Sequence, residues 1–374
     1  MSGSDVKPEA AGPGLCVLYD FLQVPGGAER VTLVLAGAFA GSQVRVSRVS
    51  PSTEGIVQAH SAQVRAVGWR WAQPLGWVLQ ALLSFRWGRV LPEGAATVVY
   101  SGFYAPLAVH GQRTGRRVYY GHTVPRFAYD LRDHFRAQYP WFLRPLFDVF
   151  TWGLRGMYRR ALLRMDVLVV NSDNVRLRLQ RHLGLEAQVV HPPVDVARFA
   201  WLADGDYFVS TARLEPLKRV DVLVQAFLRM PHERLVVCSG GSELARLQAL
   251  AAGAANISFT GWTDETQMAE ILGRARASLY VPVDEDFGMS PVESMAAGKP
   301  VIGVAEGGLL ETVVDGKTGL LLRPGFDASD VCAAVQTLTP SRAQAMRQAC
   351  EARSKRFDTA HFVQRMREVL TGAR

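Results

Sequence analysis

Short apolar runs alternate along the first half of the chain with longer segments whose apolar residues follow helical spacing. Residues 15–20 predict a buried strand, a loop with two glycines follows, and the apolar positions from Val31 to Ala38 predict a helix. A strand, a glycine turn and a helix in this order are typical of the start of a doubly wound α/β domain. Further strands are predicted at Val44–Val49, Thr97–Ser101, Arg117–Gly121, Val167–Asn171 and Gln188–His191.

Paired prolines in the segment HPPVDVARF, residues 191–199, interrupt this alternation because proline holds the backbone extended. The alternation then restarts, with strands predicted at Tyr207–Ala212, Arg234–Ser239, Ile257–Thr260, Ala277–Val281 and Pro300–Val304 and helices at Asp221–Arg229 and Thr263–Ala275. Helices between successive strands predict parallel sheets. The chain therefore predicts two α/β domains, 1–193 and 194–356, and a helix at 357–374 that could pack on either one.

Length and composition agree with two globular domains, since 374 residues exceed one ordinary core. No apolar run approaches the roughly 20 residues that span a bilayer, and the first ten residues lack the apolar core of an export signal. The four cysteines are scattered without metal-ligand spacing. We therefore expect free thiols and a cytoplasmic protein.

The net charge of +8 is concentrated in the first half of the chain. Residues 1–193 carry 22 arginines and lysines against 12 aspartates and glutamates, whereas residues 194–374 carry 20 against 22. This asymmetry indicates an anionic partner for the first domain: a membrane surface, a nucleic acid or an acidic ligand.

Tryptophan and arginine occur together within this basic half. Residues 64–92 contain four of each and no acidic residue, and residues 126–164 contain eight arginines, three aspartates, Trp141 and Trp152. Core packing would use some of these rings. The mixture of tryptophan, leucine and arginine favours an interfacial surface on anionic lipid, with the rings at headgroup depth.

In the second half, Arg213 and Lys218 lie in a loop between a predicted strand and the next helix, where α/β sheets bind ligands. A guanidinium and an ammonium suit a diphosphate. The chain has five lysines and 37 arginines, which indicates that lysine is required at position 218. The alternative is a pair of solvated surface charges.

A second polar group lies in the sequence EDFGMSPVE at 285–293, shortly after the strand predicted at Ala277–Val281. Ser290 and Glu293 predict a helix-capping box, which would give Glu293 a structural role. Capping does not explain Glu285, which comes at the end of an apolar strand and is well placed to accept sugar hydroxyls near a helix N-terminus. Gly307 and Gly308 are predicted at the same sheet edge, as turn residues or as part of the site.

Two features of the first domain are candidates for ligand contact. Gly26 and Gly27 precede the first helix, where the backbone could approach a phosphate. His122 directly follows a predicted strand, and Arg126 with nearby tyrosines favours a ligand-facing site over a structural histidine.

With these residues assembled, the chain resembles the retaining glycosyltransferases of family 4, whose GT-B fold has two Rossmann-like domains with parallel sheets facing a central cleft. Glu285 and Glu293 match the E-x7-E motif of that family, Arg213 and Lys218 its diphosphate-binding pair, and the GGAE loop its N-terminal glycine loop. The segment HTVPRFAYDL is similar to the H-T-P-x-R segment of bacterial mannosyltransferases that build polysaccharide repeat units on a lipid carrier. This chain differs by having Val124 between Thr123 and Pro125.

The resemblance implies a role for each motif residue. Arg213, Lys218, Glu285 and His122 would form the catalytic set: the two cations on the leaving diphosphate, Glu285 on the sugar hydroxyls, and His122 on the sugar or its phosphate. Glu293 would bind the ribose. The remaining donor-binding residues would be Gly26, Gly27, Phe287, Gly288, Met289 and Ser290, through their backbones. No metal and no cofactor besides the donor is implied.

The expected protein is thus a retaining, metal-independent hexosyltransferase that moves mannose from GDP-mannose to a lipid-linked glycan in polysaccharide biosynthesis. It would be peripheral on the inner face of the cytoplasmic membrane. A UDP-sugar transferase with a soluble acceptor is the alternative. A nucleic-acid-binding protein is disfavoured because no nucleic-acid motif accompanies the charge, and a dinucleotide-dependent oxidoreductase because VPGGAER lacks the G-x-G-x-x-G pattern.

Overall fold

The computed structural model describes residues 14–24, 26–60 and 62–372. These residues form two units. The first unit consists of the described residues up to His191 and of those from Phe362 onward, and the second unit is Pro192–His361. Each unit has its own parallel sheet and its own apolar core. The predicted α/β fold class is confirmed.

The first unit contains a sheet of seven parallel strands in the order β3-β2-β1-β4-β5-β6-β7. The strands are β1 Leu15–Tyr19, β2 Gln43–Val46, β3 Gln63–Ala66, β4 Thr97–Ser101, β5 Arg116–Gly121, β6 Val167–Val170 and β7 Gln188–Val189. The central strand β1 (LCVLY) is buried along its whole length, as expected where helices cover both faces of a parallel sheet. Sequence analysis missed β3, whose residues are mostly exposed at the sheet edge, because such a strand has no apolar pattern.

Within the described residues up to His191, the α-helices of the first unit are α1 Gly27–Gly37, α2 Glu54–Ala59, α3 Gly76–Trp87, α4 Arg132–Ala137, α5 Arg144–Leu162 and α6 Asp173–Leu183. Helix α6 shows how local sequence sets a boundary. The Ser172 hydroxyl accepts the Val175 N–H at its start, and Gly184 takes the left-handed conformation (φ 67°) that ends it.

The second unit contains six parallel strands in the order β10-β9-β8-β11-β12-β13. They are β8 Tyr207–Ser210, β9 Arg234–Cys238, β10 Ile257–Gly261, β11 Ala277–Tyr280, β12 Val301–Val304 and β13 Gly319–Leu322. Strand β13 was also missed. It is a short run that opens on Gly319, where an added Cβ would lie 2.0 Å from the Val301 carbonyl oxygen.

The helices of the second unit are α7 Val220–Leu228, α8 Leu244–Leu250, α9 Glu265–Arg274, α10 Met289–Ala296, α11 Leu309–Thr312, α12 Ala328–Thr337 and α13 Pro340–Ser354. The last helix, α14 Thr359–Thr371, joins the first unit from Phe362. There the Phe362 ring meets Tyr120 of β5 edge-on, with centroids 5.9 Å apart.

Strand order locates the crevices of both sheets. In the first unit β1 lies between β2 and β4, and in the second unit β8 lies between β9 and β11, so the order reverses at β1 and at β8. The loops after strands on either side of such a reversal diverge and leave a crevice in which α/β proteins bind ligands.

Candidate active site

Lys218 and Glu285 meet at the β8/β11 crevice of the second unit. Lys218 ends the short 3₁₀ turn Pro216–Lys218 after β8, and Glu285 lies in the loop after β11. The Lys218 Nζ lies 2.5 Å from Glu285 Oε2, and both side chains are largely buried, with 21% and 17% of their surfaces exposed. The structure therefore brings together the predicted phosphate-binding cation and the predicted sugar-binding carboxylate.

Tyr280, at the end of β11, completes a triangle with this ion pair. Lys218 Nζ donates to the Tyr280 hydroxyl at 3.3 Å, and that hydroxyl donates to Glu285 Oε2 at 3.1 Å. The sequence pattern places Tyr280 within a predicted buried strand and does not single it out. The signal available was a polar hydroxyl at the last position of a strand whose next loop carries Glu285.

The electrostatics of the triangle keep Lys218 charged. Burial alone would lower the pKa of Lys218, but Tyr280 and Glu285 outweigh it and raise this pKa above its usual value. Burial, and next the charge on Glu285, raise the pKa of Tyr280 as well, so its hydroxyl stays protonated. At neutral pH the site thus offers an ammonium, a hydroxyl and a carboxylate, which can hold a phosphate and sugar hydroxyls.

Arg213 lies earlier in the same loop and is exposed to solvent. It follows the buried Ala212 and precedes the buried Leu214, which tie the loop to the core. The loop therefore presents Arg213 at the surface of the crevice edge, whereas it turns Lys218 inward.

The capping-box prediction for residues 290–293 is wrong. Helix α10 begins at Met289, and its N-cap is Gly288 in the left-handed conformation (φ 90°), with no side-chain cap hydrogen bond. Ser290 is therefore the second helical residue, and Glu293 lies one turn inside the helix. Because the helix starts without them, capping does not account for either side chain.

The turn before α10 packs its side chains against the core of the second unit. The Phe287 ring is buried and meets Phe357 edge-on at 5.3 Å, and Met289 packs partly buried against the core. The side chains of Phe287 and Met289 therefore serve the core of the second unit, and the backbone contacts to a donor that the resemblance implies for this turn stay a prediction.

Gly307 and Gly308 hold a second turn against the Glu285 loop. The Gly308 N–H donates to the Glu285 carbonyl at 2.8 Å. A Cβ on Gly307 (φ 57°) would lie 2.4 Å from that same carbonyl oxygen, and one on Gly308 would lie 2.4 Å from the Phe287 Cα. Both glycines are therefore required for the close approach of the two turns.

In the first unit, Tyr19 connects the glycine loop with His122. The Tyr19 hydroxyl donates to Glu29 of α1 at 3.3 Å, and its ring meets His122 edge-on at 6.1 Å. Gly26 caps α1 and Gly27 is its first residue; a Cβ on Gly26 would lie 2.5 Å from the Glu29 carboxylate. His122, directly after β5, and the glycine loop thus share one sheet edge.

His122 is an uncharged group in this unit. Its Nε2 is buried and has no hydrogen-bond partner among the described residues, and burial lowers its pKa from 6.5 to about 4. The neighbouring Val124, where this chain differs from the mannosyltransferase segment, is fully buried in the core. The inserted residue therefore serves packing.

A buried carboxylate that sequence analysis missed organises the β1/β4 crevice. Asp20, directly after β1, accepts the N–H groups of Phe103, Tyr104 and Ala105 at 2.6 to 2.8 Å. Burial raises its pKa to about 6, although these donors act in the opposite direction. An aspartate directly after a buried strand was the available signal.

Two family models match the chain, and their ranges meet near residue 195. Glycosyltransferase Family 4 matches residues 25–198, and Glycosyl transferases group 1 matches residues 195–357. The second range contains the Lys218–Glu285 pair and the first contains His122 and the glycine loop.

Curated relatives are similar over different shares of the chain. The GDP-mannose-dependent alpha-(1-6)-phosphatidylinositol monomannoside mannosyltransferase of Mycolicibacterium smegmatis is 28% identical, covering 89% of this chain and 91% of the relative. The D-inositol 3-phosphate glycosyltransferase of Mycobacterium leprae is 32% identical, and the match covers 42% of each chain. This chain thus matches less than half of the length of that second relative.

Solved structures of low identity share the fold over nearly the whole chain. The Anabaena protein HepE in complex with UDP and glucose matches with a TM-score of 0.75 and 16% identity, covering 96% of this chain and 99% of that one. The sucrose-phosphate synthase of Thermosynechococcus elongatus matches with a TM-score of 0.74 and 17% identity, covering 96% and 98%.

Proposed function

Because the chain belongs to the family 4 glycosyltransferases of the GT-B fold, we propose that it transfers a hexose from a nucleoside diphosphate sugar with retention of anomeric configuration. The observation that carries this proposal is the Lys218–Tyr280–Glu285 triangle at the β8/β11 crevice. It combines a cation for a diphosphate with a carboxylate for hydroxyl groups at the place where an α/β sheet binds nucleotides.

In this reaction Lys218 stabilises the negative charge that builds on the departing diphosphate. Donor binding replaces the ion pair, since the diphosphate takes the ammonium and the sugar hydroxyls take the Glu285 carboxylate. Arg213, which is exposed, adds a second cation to the diphosphate. Neutral His122 offers a hydrogen bond to the sugar without adding charge, and the chemistry needs no metal ion.

The donor we propose is GDP-mannose. The HTVPRFAYDL segment supports it by its likeness to mannosyltransferases, and so does the GDP-mannose-dependent relative, whose match covers 89% of this chain. The alternative is a UDP-sugar, which the fold also accommodates in HepE, a protein solved with UDP and glucose.

The acceptor we propose is a lipid-linked glycan at an anionic membrane surface, on the inner face of the cytoplasmic membrane. Five large apolar residues around the start of α5 support this proposal, and we call them the α5 strip: Trp141 (78% exposed), Phe142 (61%), Leu146 (67%), Val149 (66%) and Trp152 (78%). The opposite face of α5 is buried in the core through residues such as Leu154 and Tyr158.

Charge supports the same surface, since Arg159, Arg160 and Arg164 are exposed toward the end of α5. Among the described residues, no helix combines the length and apolarity required to cross a bilayer.

In the other tryptophan-rich segment, residues 64–92, Trp87 is 58% exposed. Trp77, by contrast, packs edge-on against Phe21 and under the Arg48 guanidinium, so it serves the fold of the first unit.

Calorimetric titration tests the proposed donor. GDP-mannose, UDP-glucose, GDP and UDP are added separately to the full chain, with and without Mg²⁺. We expect micromolar binding of GDP-mannose and GDP, unchanged by Mg²⁺, and weak binding of the uridine compounds. Selective binding of UDP-glucose would establish the alternative donor, and no binding of any nucleotide by the folded protein would contradict the proposed function.

A further inference from the structure

Arg219, the residue after Lys218, adopts a backbone conformation that L-amino acids avoid. Its φ and ψ of 52° and 33° lie in the left-handed region, and it forms the junction between the 3₁₀ turn Pro216–Lys218 and α7. Glycine takes this conformation without strain, whereas a Cβ makes it unfavourable. Strain of this kind persists where the side chain makes compensating contacts.

The guanidinium of Arg219 makes those contacts with the loop that carries Glu285. Its Nε donates to the Val281 carbonyl at 2.7 Å, and Nη2 donates to the Pro282 carbonyl at 2.6 Å. Between the same two loops, the Val283 N–H donates to the Leu217 carbonyl at 2.8 Å. The first residues of the Glu285 loop are thus bonded to the segment that positions Lys218.

Glu306 extends this connection to the third loop of the site. Its carboxylate forms an ion pair with Arg219, with Nη2 and Oε2 3.2 Å apart and side-chain exposures of 21% and 19%. The same Oε2 accepts the N–H of Asp284 at 3.2 Å, and Asp284 itself is left-handed, with a φ of 43°. Glu306 directly precedes Gly307, so one carboxylate joins all three loops.

An aromatic ring fixes the other side of the guanidinium. The Arg219 Cζ lies 4.7 Å from the centroid of Phe326. The guanidinium therefore lies over a ring while its N–H groups donate to two carbonyls and a carboxylate. Among side chains, only arginine combines a planar cation with this many donors in a fixed geometry.

We infer that Arg219 is a positioning residue for sugar transfer, which holds the Glu285 carboxylate in register with Lys218 through Val281, Pro282 and Glu306. The inference rests on the proposed function of the Lys218–Glu285 site. It gives Arg219 no contact with the donor: the guanidinium acts on the loop, and the loop places Glu285. When donor binding separates Glu285 from Lys218, these bonds keep the carboxylate at the sugar.

Arg219→Gly tests the inference because it deletes the guanidinium and also relieves the strained backbone. Arg229→Gly, at the opposite end of α7, removes an arginine from a position with an ordinary φ of −84° and is the matched control. The affinities of GDP-mannose, UDP-glucose, GDP and UDP are measured by calorimetry for each protein, together with the melting temperature.

A positioning role predicts a split between ligands. In Arg219→Gly the affinity for the nucleotide sugar falls at least tenfold, because its hydroxyls lose a fixed Glu285. The affinity for the matching free diphosphate changes less than threefold, because Lys218 remains. Arg229→Gly leaves both affinities unchanged. Equal losses for sugar and free diphosphate, or no loss for either, would overturn the inference.

Glu306→Gln supplies an independent measurement, and it carries the test alone if Arg219→Gly does not fold. It weakens the pair with Arg219 and the bond to Asp284, so we expect the same split with a smaller loss, at least threefold for the nucleotide sugar. In the double variant the loss is smaller than the sum of the two single losses, since both changes break the shared Arg219–Glu306 pair. Additive losses, or wild-type affinities in Glu306→Gln, would contradict it. A wild-type protein that binds no nucleotide would instead contradict the proposed function.

Discussion

Lys218 and Glu285, which we assign to different parts of one ligand, are bonded to each other at 2.5 Å. Each balances the charge of the other, which limits the free-energy cost of keeping both largely buried. A ligand with phosphate at one end and hydroxyls at the other can replace both halves of the pair. A free sugar or a free phosphate replaces only one.

Removing either partner of this pair should reduce transfer and keep the fold. We expect Lys218→Ala and Glu285→Gln each to lower kcat/KM for the nucleotide sugar at least tenfold, which corresponds to about 1.4 kcal/mol of transition-state stabilisation. The exposed Lys317→Ala is the control for loss of a lysine. Circular dichroism checks the fold, and wild-type turnover in either site variant would show that the assignment of the site is wrong.

A methyl group at Gly307 should push the Glu285 loop out of place. Gly307→Ala creates a Cβ 2.4 Å from the Glu285 carbonyl, whereas Gly316 (φ 72°) is also left-handed but has open space around it. Strain alone costs roughly 1–2 kcal/mol at either position. We therefore expect a larger drop in melting temperature for Gly307→Ala than for Gly316→Ala, and weaker donor binding only for Gly307→Ala. Equal behaviour of the two variants would disprove the close-approach argument.

His122, whose Nε2 is buried without a hydrogen-bond partner among the described residues, should make the protein less stable in mild acid. Its folded-state pKa of about 4 lies below the 6.5 of the unfolded chain, so between these values the unfolded state binds more protons. The contribution of neutral His122 is complete above pH 6.5 and is lost as the pH falls toward 4. The slope is at most about 1.4 kcal/mol per pH unit.

Urea unfolding from pH 7.5 to 4 measures this effect. The His122→Gln variant should lose stability less steeply than the wild type below pH 6.5, whereas His134→Gln, at an exposed position of the same unit, should follow the wild-type curve. Parallel curves for His122→Gln and the wild type would mean that this histidine is not held neutral.

Replacing both tryptophans of the α5 strip should weaken membrane association. We expect the double variant Trp141→Ser, Trp152→Ser to lower the fraction of protein that pellets with phosphatidylglycerol-containing vesicles at least threefold. The reason is that each indole, exposed in the protein, would insert into the headgroup region of the membrane. Trp262→Ser, at a 66% exposed position of the second unit, should have no effect. Unchanged pelleting of the double variant would remove the α5 strip as a membrane surface.

Much of the fold could be predicted because the central strands of parallel sheets are continuous apolar runs. The predicted strand at Thr97–Ser101 is the observed β4, and Arg117–Gly121 differs from β5 by one residue. Prediction failed for β3 and β13, where an exposed edge and a short, glycine-initiated run lack that signal. It also failed for the start of α10, since a left-handed Gly288 replaced the expected side-chain cap.

The sequence by itself determined that two α/β units follow one another and that polar residues lie in the loops after strands β1, β5, β8 and β11. Local polarity carries this information, because a residue just beyond a buried strand is at the sheet edge whichever strand lies beside it. Only the tertiary structure decided that β8 lies beside β11. That pairing brings Lys218 to the Glu285 carboxylate, 67 residues away along the chain, and places the Tyr280 hydroxyl within hydrogen-bond distance of both. It also lets Arg219 reach the Glu306 carboxylate and two backbone carbonyls. Such contacts depend on the order of strands in the sheet, which follows from the burial of whole faces and leaves no trace in the spacing of residues along the chain.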